Sequence, residues 1–302
     1  MHRLSFRYVT LLAWVLVVSV GCAGDGPEPA EAPTAEAKVF RFSAIPDQNT
    51  TETREKLQPL IEHLAQQLEV EVEYVPARDY QASVEMFKNG DVQLAWFGGL
   101  TGVQARQAVA GAQAIAQGES DPNFMSYFIA HKDTGLEPSD EFPAAISGLK
   151  FTFGSESSTS GRLMPEFYIQ ENTGKSPADF FEQPVGYSGS HDKTVELVES
   201  GQFEVGAVNY TVYDKRVANG DTDPEVAKVI WKTPHYADYN WTMRPDIDAD
   251  FGAGFSERLR QTLVSIDDPA LLTALPRQRL IPATNEDFEG IRRVAESLGM
   301  LR

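Results

Sequence analysis

The chain has 302 residues, enough for two ordinary domains, and 42% of them are hydrophobic, so a substantial core can be buried. Its formal net charge is −18, and no basic patch is present that could release counterions from nucleic acid, which argues against nucleic acid as a partner. Cys22 is the only cysteine, which excludes an internal disulfide and leaves no cysteine for a metal cluster or a nucleophile.

The N-terminus, residues 1–21, is typical of an export signal. Arg3 and Arg7 give a positive start, and the apolar run Val9–Val20 is too short to span a bilayer comfortably. The run ends in Ser-Val-Gly-Cys, which resembles a bacterial lipobox, although Ser19 stands where an aliphatic residue is preferred. We therefore predict a signal peptide over 1–21 and lipidation of Cys22. The alternative is an ordinary secretory signal with an incidental cysteine.

Residues 23–37 consist mainly of Pro, Ala and Glu. This composition buries too little apolar surface to offset the entropy lost on ordering. Residues 22–37 are thus predicted to be a lipidated cysteine and a flexible tether, although a generic disordered N-terminus would have the same composition. The prediction places the body in the periplasm or at the cell surface, in contact with the membrane only through its lipid anchor.

From Val39 onward, strand-like segments alternate with segments of helical periodicity. The predicted strands are Val39–Ile45, Val70–Val75, Val92–Phe97, Ala112–Ala116, Ser126–His131, Lys150–Gly154, Val185–Tyr187, Val205–Asn209 and Val226–Trp231. The predicted helices include Asp79–Gly90, Gly161–Glu171, Ser190–Val198, Ser256–Ile266 and Asn285–Leu298, with an Ala-rich helix after Gly99. A helix through Leu57–Leu68 contains Pro59, so it is either kinked there or starts later than Thr51. The alternation predicts an α/β fold of mostly parallel sheets in two lobes.

Ligands of open α/β sheets bind outside the carboxyl ends of the strands. The loops at these predicted ends hold the unusual residues of the chain. They are Pro46–Asn49, Trp96–Thr101, Ser155–Gly161, Gly186–His191 and Asn209–Tyr210. We expect any binding site to be assembled from them.

The most informative loop reads "GSESSTSGRLMP" over residues 154–165. It joins a predicted strand to a predicted helix, where free backbone N–H groups and the helix dipole favour an anion. Ser158, Thr159, Ser160 and Gly161 therefore predict a cradle for a tetrahedral oxyanion. The alternative is a Ser/Thr helix cap on a flexible loop, for which one hydroxyl would suffice. Glu156 would have to point away from the anion or bind a cation.

Several longer stretches resemble the phosphonate- and phosphite-type periplasmic substrate-binding proteins of ABC importers. They are "DYQASVEMFKNGDVQLAWFGG" at 79–99, "STSG" at 158–161 and "GYSGSHDKTVELVESG" at 186–201. Two others, "AIPDQNTTETREKLQPL" at 44–60 and "FGSESSTSGRLMP" at 153–165, are closest to the group labelled selenate-importer binding proteins. The resemblance covers the chain from Val39 to its end.

The resemblance implies a two-lobed periplasmic-binding-protein fold of type II with two crossover strands. Lobe 1 would comprise 39–132 and 240–302, lobe 2 would comprise 133–239, and the crossovers would be Tyr127–His131 and Asp238–Thr242. It further implies a monomer without cofactor or metal, which closes on a small oxyanion and delivers it to a membrane permease.

The resemblance also carries over ligand-binding positions one at a time. Ser158, Thr159 and Ser160 match the oxyanion-binding hydroxyls, Tyr80 matches an aromatic donor, and His191 matches a histidine that faces the anion. Tyr80 and His191 each have a simpler alternative role, Tyr80 as a core aromatic and His191 as a helix cap.

Some positions depart from the pattern of the family. Trp96, which with Phe97 replaces an expected aromatic hydroxyl, is either pocket wall or strand packing. Asn209 stands where aminophosphonate binders have an acid, while Asp238 matches a second acid. Losing an acid favours a ligand without an amine, such as phosphite, methylphosphonate or selenate.

Two other functions remain open from the sequence. A binding protein of this kind can serve as the sensing subunit of a membrane receptor. A phosphoesterase would need a nucleophile with a base or a metal; Ser188 near His191 is the best candidate pair, but no G-x-S-x-G motif surrounds it. His63, His131 and His235 show no metal-ligand spacing. We therefore expect a binding protein and not an enzyme.

Overall fold

The computed structural model describes residues 38–47, 50–275 and 277–301, apart from the side chains of 50–53. The predicted signal peptide, Cys22 and the tether lie outside the described residues, as do Gln48 and Asn49 of the first predicted loop. Within the described ranges, no helix is both long enough and apolar enough to cross a membrane.

Strands and helices alternate along the chain as the sequence predicts. The strands are β1 Phe40–Ala44, β2 Val72–Tyr74, β3 Leu94–Phe97, β4 Gln113–Gly118, β5 Ser126–His131, β6 Phe151–Phe153, β7 Gly186–Tyr187, β8 Val205–Asn209, β9 Ala227–Lys232, β10 Asn240–Met243 and β11 Leu280–Pro282. The α-helices are α1 Thr50–Leu68, α2 Tyr80–Asn89, α3 Gly99–Ala108, α4 Met164–Thr173, α5 Pro177–Phe180, α6 His191–Glu199, α7 Tyr210–Asn219, α8 Ile247–Phe251, α9 Phe255–Val264 and α10 Glu289–Ser297. A π-helical turn, Thr159–Leu163, leads directly into α4.

The strands form two sheets, in the orders β11-β4-β10-β3-β1-β2 and β7-β6-β8-β5-β9. Both are mixed, which corrects the prediction of mostly parallel sheets. β1 pairs in parallel with β2 and β3, and β6 does so with β7 and β8. β10 and β5 run antiparallel to both of their neighbours, and β11 runs antiparallel to β4.

The direction of β5 and β10 follows from how the chain passes between the sheets. The strands β3 and β8 point their carboxyl ends at the gap between the two sheets, where ligands of such folds bind. A strand that enters a sheet from that gap must run the opposite way. β5 enters the second sheet from the gap, with Ser126 beside Asn209. β10 enters the first sheet in the same manner, with Asn240 beside Phe97.

The predicted first lobe runs to residue 132, but the strand that ends at residue 131 pairs in the second sheet. Tyr127–His131, interpreted from the sequence as a crossover, lies within β5, which pairs along its length with β8 and β9 and belongs to the second sheet. The segments 119–125 and 233–239 connect the sheets. They are tied together by the bridge between Phe124 and Tyr236 and by a hydrogen bond from Asp238 N–H to the Asp121 carbonyl (3.0 Å).

The largest apolar core packs around the first sheet. Helix α1 buries one face, composed of Leu57, Leu60, Leu64 and Leu68, which lie at helical spacing. Pro59 lies inside this helix on its exposed side, so the alternative of a start later than Thr51 is wrong. Two smaller cores, one centred on Phe128 and Phe151 and the other on Val195 and Val208, pack against the second sheet.

Candidate functional site

The candidate site lies where helix N-termini from both sheets meet. The π-helical turn after β6 contacts the N-terminus of α3, since the Leu100 N–H donates to Thr159 Oγ1 at 2.9 Å. Helix α6 contacts the loop after β1, since the His191 N–H donates to the Asp47 carbonyl at 3.2 Å. Each of these helices directs the positive end of its dipole toward this region.

The Ser-Thr-Ser-Gly run forms the start of the π-helical turn. Ser158 is its cap, with Oγ accepting the Gly161 N–H at 2.9 Å, so one hydroxyl has the role of the simpler alternative. Thr159 and Ser160 take no part in that cap. A Cβ on Gly161 would lie 3.0–3.1 Å from Ser158 Oγ, from Gly154 Cα and from the His191 ring, so only glycine fits without displacement. Single π-turns often occur at functional sites.

The N-terminus of α3 is capped by a residue distant in sequence. Gly98 has no side chain to cap it; instead Asp238 Oδ1 accepts the Gly99 N–H at 2.8 Å. The second oxygen, Asp238 Oδ2, is buried and has no hydrogen-bond partner among the described residues. Burial raises the pKa of Asp238 to about 7, although the Gly99 N–H and the nearby Thr159 side chain lower it.

Tyr80 provides a second unpartnered polar atom. It is the first residue of α2, after the Asp79 cap, and it is 2% exposed. Its hydroxyl has no hydrogen-bond partner among the described residues. The Ser158 side chain is close enough to lower the pKa of Tyr80, but the two hydroxyls do not meet in hydrogen-bonding geometry, and burial raises that pKa well above its usual value. Buried polar groups are normally paired, so both orphan atoms are unusual.

His191 lies beside the Ser-Thr-Ser-Gly run. Its Nδ1 accepts the Asn209 backbone N–H at 3.3 Å, which assigns the ring proton to Nε2. Nε2 is 3.5 Å from Ser160 Oγ. Burial lowers the pKa of His191 to about 3, so the ring is neutral near pH 7 and presents an N–H donor toward Ser160.

Asn209 is a helix cap, which differs from its predicted role as a ligand contact. Its Oδ1 accepts the Thr211 and Val212 N–H groups at the start of α7. Its Nδ2 donates to the Tyr239 hydroxyl at 2.8 Å, and that hydroxyl donates to Asp47 Oδ2 at 2.9 Å. Because both its Oδ1 and its Nδ2 hydrogen-bond within the protein, we do not assign Asn209 to the ligand.

Trp96 forms an aromatic wall with Tyr239. The two rings are stacked, with centroids 5.6 Å apart and planes at 22°. The Arg277 guanidinium carbon lies 4.7 Å from the Tyr239 ring centroid and 5.7 Å from that of Trp96. Arg277 also forms a buried ion pair with Asp121.

Sequence reasoning missed Asp47, Tyr239, Arg277 and Asp121. Asp47 was within a predicted loop, and Tyr239 follows Asp238 directly, so both had a local signal. Arg277 and Asp121 had none, because they are 156 positions apart in the chain. No group of three or more His, Cys, Asp or Glu residues suited to a metal ion occurs among the described residues.

Comparison with known proteins gives consistent matches. Residues 42–288 match the family model described as ABC transporter, phosphonate, periplasmic substrate-binding protein. The chain is 36% identical over 272 residues to a protein of Prochlorococcus marinus named as a probable ABC transporter phosphite binding protein, PhnD1, covering 88% of this chain and 91% of that one. It is 26% identical to the phosphate-import protein PhnD of Mycolicibacterium smegmatis, covering 98% and 97%.

A solved structure matches over the same region. PhnD1 from Prochlorococcus marinus in complex with methylphosphonate superposes with a TM-score of 0.82 and 37% identity, covering 87% of this chain and 98% of that one.

Proposed function

Because this chain belongs to the family of phosphonate periplasmic substrate-binding proteins of ABC transporters, we propose that it captures a small tetrahedral phosphorus oxyanion at the Ser158–Gly161 cradle and delivers it to a membrane permease. Members of this family bind and hand over a ligand, so the chain is a binding protein and not an enzyme. The type II fold with two sheets and two connecting segments is confirmed.

The observation that carries the proposal is the pair of buried, unpartnered polar atoms beside the cradle, Tyr80 Oη and Asp238 Oδ2. A buried polar atom without a partner costs about 1–3 kcal/mol, so a polar ligand that pairs with both is favoured. The hydrogen-bond donors available to such a ligand are uncharged. They are the hydroxyls of Thr159, Ser160 and Tyr80 and the His191 Nε2–H. An uncharged cradle suits a chain of net charge −18, since it binds an anion without local lysine.

The names of the relatives support the class of ligand. One is named for phosphite, one for phosphate import, and the solved structure contains methylphosphonate. None of these names supports selenate, which we retain only as a competitor anion in the test.

Binding is proposed to close the two lobes about the connecting segments 119–125 and 233–239, and closure is the signal that the permease reads. Small-angle scattering should give a smaller radius of gyration with methylphosphonate than without it; equal radii at saturation would argue against closure. We propose that the protein acts as a monomer, anchored to the membrane through Cys22. The periplasmic location follows from the family.

The proposal is tested by calorimetry on the chain from residue 38, in phosphate-free buffer, with methylphosphonate, phosphite, phosphate, sulfate and selenate. We expect the phosphorus anions to bind more tightly than sulfate and selenate. A protein that binds selenate or sulfate and none of the phosphorus anions would overturn the proposed ligand class. Hydrolysis of a chromogenic phosphate ester at a rate that Ser188→Ala abolishes would overturn its assignment as a pure binding protein.

A further inference from the structure

Asp238 is an unusual residue to find beside a cradle for an anion. The residue is 1% exposed. Oδ1 is held by the Gly99 N–H at the start of α3 (2.8 Å), while Oδ2 is buried without a partner among the described residues. An ionised carboxylate is only an acceptor, so it can contact an oxyanion favourably only if a hydrogen atom lies between them.

The groups around Asp238 come from several parts of the fold. A Cβ on Gly98 would lie 3.3 Å from Asp238 Oδ1 and 3.1 Å from Thr159 Oγ1, so the carboxyl and the cradle meet across that glycine. Asp121, on the first connecting segment, raises the pKa of Asp238, and Arg277, which is itself paired with Asp121, lowers it. The hydroxyls of Tyr80, Tyr236 and Tyr239 are also close to Asp238, and the negative charge of Asp238 helps to raise the pKa of each.

Resting on the proposed function, we infer that Asp238 is a specificity-determining residue, which shares one proton with the bound oxyanion through Oδ2. A phosphonate, phosphite or phosphate monoanion brings that proton as a P–OH group and donates it to the ionised carboxylate. Sulfate and selenate have lost both protons at neutral pH, so they bind only after Asp238 has taken up a proton from solvent. The site therefore favours oxyanions that keep a hydroxyl near pH 7.

The proton requirement gives a signature that a purely structural carboxyl would not produce. Because the pKa of Asp238 is raised to about 7, the protonated fraction falls as pH rises through that value. Affinity for sulfate should then fall by about tenfold per pH unit above it, since one proton is linked to binding. Methylphosphonate supplies its own proton, so its affinity should change much less between pH 7 and 8.

The test compares the parent with Asp238→Asn by calorimetry, using sulfate and methylphosphonate as probes between pH 5.5 and 8.5 in buffers of different ionisation enthalpy. Asparagine always donates through its amide, so the variant should bind sulfate with no pH dependence and no proton uptake. Its affinity for methylphosphonate should rise with pH as that ligand loses its proton. Asp214→Asn is the control: Asp214 is an exposed acid with a raised pKa that accepts a hydrogen bond from the Tyr127 hydroxyl on the second sheet, and this variant should retain the parent profile.

A pH-independent affinity of the parent for sulfate, or an Asp238→Asn variant that keeps the parent slope, would overturn the inference. If neither protein binds sulfate at any pH, the methylphosphonate profiles decide, and identical profiles overturn it. A gain of sulfate binding in the variant alone supports it. Failure of the proposed function has a different result, namely a parent that binds neither methylphosphonate nor phosphite while Asp238 still controls sulfate.

Discussion

Arg277 and Asp121 form an ion pair that is buried at 3% and 0% side-chain exposure, with Arg277 Nη2 and Nε at 2.6 and 2.8 Å from Asp121 Oδ1. The other carboxylate oxygen accepts the Gly118 N–H at 2.6 Å. Because the Asp121 carbonyl also accepts the Asp238 N–H at 3.0 Å, the pair joins the C-terminal segment to both connections between the sheets. It also places a positive charge behind Trp96 and Tyr239.

We predict that Asp121→Asn destabilises the protein by about 3–5 kcal/mol, because it leaves a buried guanidinium without its counter-charge. Urea unfolding followed by circular dichroism measures the loss. The neighbouring pair Arg279–Glu119 offers a control, since its side chains are 63% and 44% exposed. Glu119→Gln should change stability by less than about 1 kcal/mol. Equal effects of the two variants would contradict a structural role for the buried pair.

His191 makes the folded protein sensitive to acid. Its pKa is lowered from 6.5 to about 3 by burial, so the unfolded chain binds a proton there at pH values where the folded chain does not. The contribution of His191 to the free energy of unfolding is therefore fully present above pH 6.5. It is lost as pH falls from 6.5 toward 3, by about 1.4 kcal/mol per pH unit.

His191→Asn tests this expectation, because its side-chain oxygen can still accept the Asn209 N–H while the titratable ring is gone. The midpoint of urea unfolding should fall less between pH 6.5 and 4.5 in the variant than in the parent. His235→Asn, at an exposed position, should leave the parent's pH dependence intact. Parallel pH profiles of the parent and His191→Asn would show that the ring is not the responsible group.

The anchor prediction concerns residues outside the described part of the chain. Cys22→Ala should move the protein from the membrane fraction to the soluble periplasmic fraction, because only the lipid is expected to hold it there. Immunoblotting of fractionated cells expressing the full chain measures the shift. An unchanged membrane fraction in the variant would contradict lipidation at Cys22.

The sequence predicted those features of the site whose signals are local. Asp79 before α2 and Gly90 after it depend on residues within one helical turn, and the structure has both. Ser158 was predicted as part of the oxyanion cradle, and its cap on the π-helical turn is the simpler alternative. The strand Ser126–His131 was also predicted with its bounds, but its sheet was not. A strand pattern encodes burial and alternation, and it does not specify which distant strand becomes its neighbour.

The same limit explains the charged and polar groups behind the site. Asn209 was interpreted as a replacement for an acid that faces the ligand, yet its side chain caps α7 and bonds Tyr239, which is 30 positions away. Asp238 was interpreted as a ligand contact without its bond to Gly99, 139 positions earlier. Such pairings depend on the folded connections between the sheets, which no window of sequence contains.

Gly98 is predicted to be required for the meeting of the two sheets at the cradle. Its φ of −72° is open to any residue, so an alanine there acts through contact and not through backbone strain. The new Cβ would lie 3.1 Å from Thr159 Oγ1 and 3.3 Å from Asp238 Oδ1, which is close enough to push them apart. We expect Gly98→Ala to weaken methylphosphonate binding by at least tenfold in calorimetry.

The control for Gly98→Ala is Gly290→Ala, where an added Cβ meets nothing within 4 Å. That variant should bind like the parent and gain about 0.5–1 kcal/mol in stability, since alanine is favoured over glycine inside a helix. Equal affinity of Gly98→Ala and Gly290→Ala would mean that closure tolerates a side chain at residue 98.

The hydroxyls of Thr159 and Ser160 give the most direct test of the cradle. Thr159→Val keeps the shape of the side chain but removes the acceptor of the Leu100 N–H and a donor beside Asp238. Ser160→Ala removes the hydroxyl 3.5 Å from His191 Nε2. Each should cost about 1–3 kcal/mol of binding free energy, or about ten- to a hundredfold in affinity for methylphosphonate and phosphite alike. Ser157→Ala removes a hydroxyl of the same run at a half-buried position outside the turn and should bind like the parent. If calorimetry finds parent-like affinity in both folded variants, the run is only a helix cap and the anion must bind elsewhere.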